Sequence, residues 1–249
     1  MTNRLLTILL VTLICAAATS GQEEIFRTGV KYYQEGNYDD AIKMFSKIEK
    51  SGLESAALYY NLGTAYFKSG DLGRAVLYYH RAKRLGPGDA DILNNLEFAG
   101  QFSKVQMVGV QLNPVEAFLK ETVGSYQLSV LGWLSSLFFV SFLILLIMKY
   151  GLQYFFAGID AVIISVMCLT IFAVGLTSFK YRVDYLDRRA VILAPDAPVY
   201  SGPSSNTELE LQGAPGLVVE LLQETGEYYN VLLENKRRGW IKKDLVAEI

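Results

Sequence analysis

The stretch NLGTAYFKSGDLGRAVLYY, residues 61–79, places small residues at Gly63 and Ala75 and rings at Tyr66, Phe67 and Tyr79. Moved back by 34 residues, Gly63 falls on Gly29, Tyr66 on Tyr32, Phe67 on Tyr33, Gly70 on Gly36, Ala75 on Ala41 and Tyr79 on Phe45. Six matches in residue type at one offset mark an internal repeat. Each copy reads as two antiparallel helices joined by a turn, QEGNYDD in the first and KSGDLGR in the second, with Gly36 and Gly70 stopping the first helix. The small residues let paired helices approach, and the rings fill the space between one pair and the next. Such a hairpin leaves one face bare and is made to stack on copies of itself. Pro87-Gly88 ends the second copy. In DADILNNLEFAGQFSK, 89–104, Asp89 is placed to cap a helix, Leu93 and Leu96 offer an apolar face, and Glu97 stands where a further copy needs a small residue. It reads as a capping helix.

The second copy resembles the tetratricopeptide repeat at Tyr59, Leu62, Gly63, Tyr66, Ala75, Tyr79, Ala82 and Pro87. The first keeps Gly29, Tyr32, Ala41 and Phe45 and departs at Thr28, Ile48 and Leu53. The expected organisation is a repeat region over 21–104, with copies at 22–55 and 56–89 and the cap at 89–104. Two copies are few for a stack, so support from a membrane or a partner is expected. The resemblance implies a concave, peptide-binding surface lined by Phe26, Val30, Tyr33, Tyr60, Thr64, Phe67, Asn94 and Phe98. Thr64 and Phe98 occupy the place of the asparagines with which some relatives clamp a terminal carboxylate. Two readings stand side by side: a groove for an apolar or aromatic peptide, or rings that pack internally or against 105–125.

Outside the repeats the chain is unevenly apolar. LLTILLVTLICAAA, residues 5–18, follows Arg4 and precedes Ser20-Gly21, which reads as a signal peptide over 1–20; the alternative is an uncleaved anchor. Thr122 to Met148 and Ala161 to Phe179 carry no charge and exceed the ~18 residues that cross hydrocarbon as a helix. They are expected to form membrane helices at 126–148 and 161–179, joined by a loop over 149–160. Tyr150, Tyr154, Phe155 and Phe156 suit an interfacial belt, and Asp160 lies within reach of Lys149. Pro114, Val115, Phe118 and Leu119 point to a linker at 105–121 with a short interfacial helix. A cleaved signal puts repeats and C-terminus outside, whereas Lys180, Arg182, Arg188 and Arg189 after the second span favour an inside C-terminus. With Cys15 in the signal and Cys168 in a span, no disulfide framework is available.

Residues 190–249 break into short β-like runs, AVILAPDAPVYSGPSS, GLVVELLQ, EYYNVLLEN and GWIKKDLVAEI. Five short strands in about sixty residues suit a small closed barrel. Val199-Tyr200-Ser201-Gly202-Pro203, Gly216 and Gly239-Trp240-Ile241 resemble a bacterial SH3 domain. Gly239 is expected at a tight bend and Trp240 in the barrel core. A contact surface of Tyr228, Tyr229 and Trp240 is the other reading.

The formal charge of −2 gives no reason to expect a nucleic acid. His80, the one histidine, stands beside Tyr79 on a repeat helix and reads as a solvated or packing residue, which leaves no histidine for a Ser-His-acid triad; no His/Cys cluster suits zinc, and no phosphate-cradling loop is present. No cofactor, metal or catalytic residue is expected. The fold class is therefore multidomain: all-α repeat hairpins, two transmembrane helices and a small all-β, SH3-like barrel. In this order the parts resemble the BatE group of bacterial aerotolerance-associated proteins, most specifically over YNLGTAYFKSGDLGRAVLYYHRAKRLGPGDADILNNLEFA. The resemblance implies an inner-membrane scaffold in an envelope complex, with von Willebrand factor A-domain membrane proteins and a MoxR-type ATPase as partners. The alternative is a cell-wall-binding sensor whose barrel holds peptidoglycan.

Overall fold

The computed structural model describes residues 21–103, 122–124, 126–153, 158–186, 188–233 and 236–249. The expected signal peptide, the expected linker at 105–121, and Tyr154, Phe155 and Phe156 lie outside the described residues. The chain divides into two compact units: the described residues of Met1–Leu85, Asp89–Val108 and Arg189–Ile249, and those of Gly86–Gly88 and Gly109–Arg188.

The first unit opens with five helices: α1 over 21–34, α2 Tyr38–Lys50, α3 Ala56–Ser69, α4 Leu72–Leu85 and α5 Ala90–Ser103. Gly36 and Gly70 adopt left-handed φ of 80° and 90°, which lets the chain turn back after α1 and α3. Three helix starts are capped by side chains. Ser55 Oγ accepts from the Leu58 N–H at 3.1 Å, Asp71 Oδ1 from Arg74 N–H at 2.9 Å, and Asp89 Oδ1 from Asp91 N–H at 2.9 Å. The 34-residue offset appears as contact geometry. A Cβ on Gly29 would lie 2.6 Å from the Phe45 ring, and one on Gly63 would lie 2.7 Å from the Tyr79 ring. Both rings are buried, so glycine is what allows the hairpins to close. Tyr66 stacks on Tyr78 with centroids 5.4 Å apart and planes within 6°. In α5 the deepest residues are Ile92 and Ala99; Leu93 and Leu96, the expected apolar face, are half-buried.

The C-terminal part is a seven-stranded sheet in the order β3-β2-β6-β5-β4-β1-β7, antiparallel at every pairing. Its strands are β1 Arg189–Ile192, β2 Ala197–Tyr200, β3 Leu209–Gly213, β4 Val218–Thr225, β5 Tyr228–Leu232, β6 Arg238–Lys242 and β7 Val246–Glu248. Seven strands replace the five expected. Asp196, at φ 51°, breaks the first run into β1 and β2, and a 3-10 turn, Lys243–Leu245, breaks the last into β6 and β7. The polar β3 was not expected at all. Gly239 makes no bend: its φ is not positive, and a Cβ there would run into Val199. Trp240 does not fill the core either. Gly239 and Ile241 face inward, and Trp240 between them is half-buried on the other side of β6.

β1 is buried on both faces. Ala190 and Ile192 join the sheet core, whereas Val191 joins Val218 and Ala247, its partners on β4 and β7, against α4. At this contact a Cβ on Gly73 would lie 2.7 Å from the backbone of Leu193. Arg81 ties the contact together: Nη1 is 3.2 Å from Glu49 Oε1, Nη2 donates to the Glu248 carbonyl at 3.1 Å, and the guanidinium lies over the Tyr78 ring. Helices and sheet thus form one folded body with a continuous interior.

The second unit is an antiparallel helical pair, α6 Leu128–Leu146, continued by a π-turn at Ile147–Gly151, and α7 Ile159–Tyr181. Ser135 and Thr177 share a hydrogen bond of 2.8 Å between the helices. Lys149 pairs with Asp160 at one end. At the other, Lys180 Nζ lies 3.1 Å from Asp184 and donates to the Gly124 carbonyl. Outward positions carry Trp133, Leu137, Phe139, Ile171 and Phe172. Both helices are long and apolar enough to cross a membrane.

Candidate interaction surfaces

The first helix of each hairpin and the cap, α1, α3 and α5, carry all eight expected groove residues. Seven of them fall into three groups. Phe26 and Val30 are half-buried against the core of the first hairpin, with the Phe26 ring 5.4 Å from Phe45. Here the rings pack internally. Tyr33, Tyr60 and Thr64 form a polar middle. Burial, then the neighbouring Tyr38 and Tyr60 phenols, push the Tyr33 pKa up, so Tyr33 remains a proton donor at neutral pH. Tyr79 OH donates to Thr64 Oγ1 at 3.3 Å; burial lifts its pKa to about 12. Thr64 itself donates to the Tyr60 carbonyl at 2.8 Å. The third group is Phe67 and Phe98, which meet Phe102 at centroid distances of 5.3–5.8 Å. Phe98 is 50% exposed and Phe102 60%.

The structure adds two neighbours to the expected set. Asn94 is exposed, and its neighbour Asn95 is the residue that donates to Tyr60 OH, at 3.2 Å. Phe102 was missed, although its place four residues after Phe98 on a helix was a usable signal.

On the sheet, register decides which residues share a face. Tyr200 pairs with Trp240, Trp240 with Asn230, and Asn230 with Gln223, giving one row across four strands. Tyr228 borders this row, its ring 6.4 Å from that of Tyr200 and edge-on to it. Tyr229 does not belong here. It points to the core side, where its OH meets Glu248 at 3.1 Å and Lys243 lies over its ring. The expected surface of Tyr228, Tyr229 and Trp240 is therefore split: Trp240 shares its side of the sheet with Tyr200 and the nearly buried Tyr228, and Tyr229 lies on the other. Strand alternation predicts this, because residues 228 and 229 must face opposite ways.

His80 lies half-buried on α4, beside Tyr79. Burial, then the positive charges of Arg189 and Lys83, lower its pKa to about 3, so it is neutral. Among the described residues no three His, Cys, Asp or Glu side chains converge as metal ligands.

The tetratricopeptide repeat family matches residues 26–90, which run from within α1 to the first residue of α5. The helical part of the first unit is thus tetratricopeptide-like, of a class that generally mediates protein–protein contact and is not enzymatic.

Proposed function

We propose that the chain is a membrane-tethered scaffold that acts by binding protein partners and not by catalysis. The observation that carries this reading is the aromatic face of α1, α3 and α5, ending in Phe67, Phe98 and Phe102. Exposed rings in mutual contact are unusual on a protein without a partner.

Tethering is supported by the inside-out character of the helical pair α6–α7. Two of its polar side chains, Ser135 and Thr177, turn toward each other while large apolar residues face outward, the reverse of a helical hairpin in water. Lys149, Asp160 and Lys180 stand at the two ends of the pair, where charges reach the interface. Helices and sheet share one interior, and the apolar pair is inserted between them in sequence. A chain that leaves after α5 and returns at β1 then crosses lipid an even number of times. With the signal-like start, this supports the outer side of a bacterial inner membrane for both.

The resemblance to the BatE group adds an envelope complex connected with aerotolerance, with von Willebrand factor A-domain proteins and a MoxR-type ATPase system as partners. The sheet is read as an SH3-like barrel on Val199–Pro203 and Gly239-Trp240-Ile241. Crosslinking in membranes followed by recovery of the chain tests the scaffold: a Tyr60→Ala/Phe67→Ala variant should lose bound partner, and undiminished recovery rejects the groove. Protease digestion of spheroplasts tests the topology, because both the helical and the sheet regions should be cut.

One observation favours a second reading, the cell-wall-binding sensor. The row Tyr200–Trp240–Asn230–Gln223 sets two rings beside two amides, the combination that stacks on sugar faces and hydrogen-bonds hydroxyls. The solubilised chain should then sediment with purified peptidoglycan and lose that property on Trp240→Ala.

A further inference from the structure

The open part of the sheet carries an uncompensated positive charge. Directly opposed strand residues share a face, so Arg189, Glu220, Leu232 and Arg238 form one row across β1, β4, β5 and β6. The apolar contact with α4 is made on this face from β1, β4 and β7, and β6 takes no part in it. Along β6 the face carries Arg238, Trp240 and Lys242 in succession, the first exposed and the other two half-buried. Among the described residues neither Arg238 nor Lys242 has an ion-pair or hydrogen-bond partner, whereas the adjoining Arg237 pairs with Glu210 and Lys243 with Glu224. The one strand acid that the register puts on this face, Glu220, stands opposite Arg189, two strands from β6. Asn230 and Tyr200, which flank Trp240, are neutral.

The spacing of this column selects among anionic partners. Alternate residues of a strand lie about 6.7 Å apart, so the two cations stand about 13 Å apart with Trp240 midway. An extended peptide laid along β6 repeats that step and turns side chains i, i+2 and i+4 toward it. Carboxylates at i and i+4 then meet the cations, and an apolar side chain at i+2 meets the indole. A helix spaces same-face residues at about 5–6 Å and falls out of step over the same distance. Anionic bilayers are held by clusters of about four to eight basic residues, and single-stranded nucleic acid by a continuous basic groove. At β6 the unpaired cations, among the described residues, are Lys236, Arg238 and Lys242, too few for either. We propose that this column binds an extended acidic segment of a partner protein, its acids on Arg238 and Lys242 and the apolar residue between them on Trp240. This rests on the scaffold reading above and gives the sheet a partner of its own.

Fluorescence anisotropy with the full chain in detergent at low salt tests it. The probe is labelled Thr-Glu-Thr-Val-Thr-Glu-Thr. One control carries Gln for both Glu, and a second keeps the composition but sets the two Glu side by side. The spaced acidic peptide should bind about tenfold tighter than the Gln control, and that advantage should shrink as salt screens the two pairs. Arg238→Gln/Lys242→Gln should weaken the probe about tenfold and leave the thermal unfolding of the sheet unchanged, because both side chains lack partners in the folded chain. Equal binding of either control, wild-type affinity in the double variant, or displacement of the probe by equimolar oligothymidylate or short-chain phosphatidylglycerol overturns the inference. If Tyr60→Ala/Phe67→Ala still abolishes partner recovery from membranes, the scaffold survives and only the partner assigned to the sheet is wrong.

Discussion

Gly63 and Gly73 lie on the same helical hairpin and both make room for something large. At Gly63 the neighbour is the Tyr79 ring of the adjoining helix; at Gly73 it is the backbone of Leu193, far along the chain and just after β1. The first contact has a twin, Gly29 against Phe45, and the second has none. The repeat interior is built from a contact used twice, whereas the helix–sheet contact is built once. A twice-used solution leaves a period in the sequence. A solution used once leaves only a glycine among many.

The two contacts can be set against each other experimentally in the detergent-solubilised chain. Gly63→Leu forces a branched side chain into the Tyr79 ring and should cost about 3 kcal/mol or more, seen as loss of the cooperative helix transition in circular dichroism. An unchanged transition means the hairpin closes otherwise than described. Gly73→Ala ranks next. Alanine gains ~1 kcal/mol over glycine in a helix, but its Cβ meets backbone that cannot rotate away. A net loss of about 1–2 kcal/mol is expected, together with faster hydrogen exchange in β1 and little change in α2. A stabilised variant would break the helix–sheet contact as a structural claim.

Glu49→Gln sharpens the comparison, because Glu49 links the two repeats: it accepts from Tyr78 OH at 2.8 Å and pairs with Arg81, which in turn holds the sheet. The pair is partly exposed, so about 1 kcal/mol is expected. Helix and sheet transitions should fall together; a fall confined to the helices would show that Arg81 does not couple them. The smallest effect concerns pH. The folded-state pKa of His80, about 3, lies below its ordinary value of 6.5, so its contribution to stability is complete above pH 6.5 and is lost as pH falls from there toward 3. Between pH 7.5 and 5.5 the wild type should lose up to about 1 kcal/mol more than His80→Gln. Identical pH profiles would mean that His80 is not held neutral by burial on α4.

How much was legible follows from the same difference. The hairpin glycines, the turn glycines, the Asp89 cap and the two apolar helices were all readable, since each depends on neighbours within one helix or one hairpin. The placing of the aromatic residues on α1, α3 and α5 was readable, except for Phe102. The sheet was half legible. β3, LELQG, escaped because it is polar and mostly exposed and pairs only with β2 at the sheet edge. Tyr229 was misassigned because a pair of tyrosines reads as one patch until strand alternation separates them. Trp240 is expected in the core or on a contact surface, and Ile241 beside it occupies the core side.

The sequence by itself determined the repeated hairpins, their closure by glycine against an aromatic ring, and the long apolar pair. These are set by helical periodicity, turn stereochemistry and transfer of apolar side chains from water, all of which act over short spans of chain. Only the tertiary structure decided that the sheet and the second repeat share an interior. Val191 against α4 and Arg81 on Glu248, 167 residues away, depend on surfaces that exist only after each part has folded. No local preference encodes them. They form because two apolar faces, each incomplete alone, exclude more water together than apart.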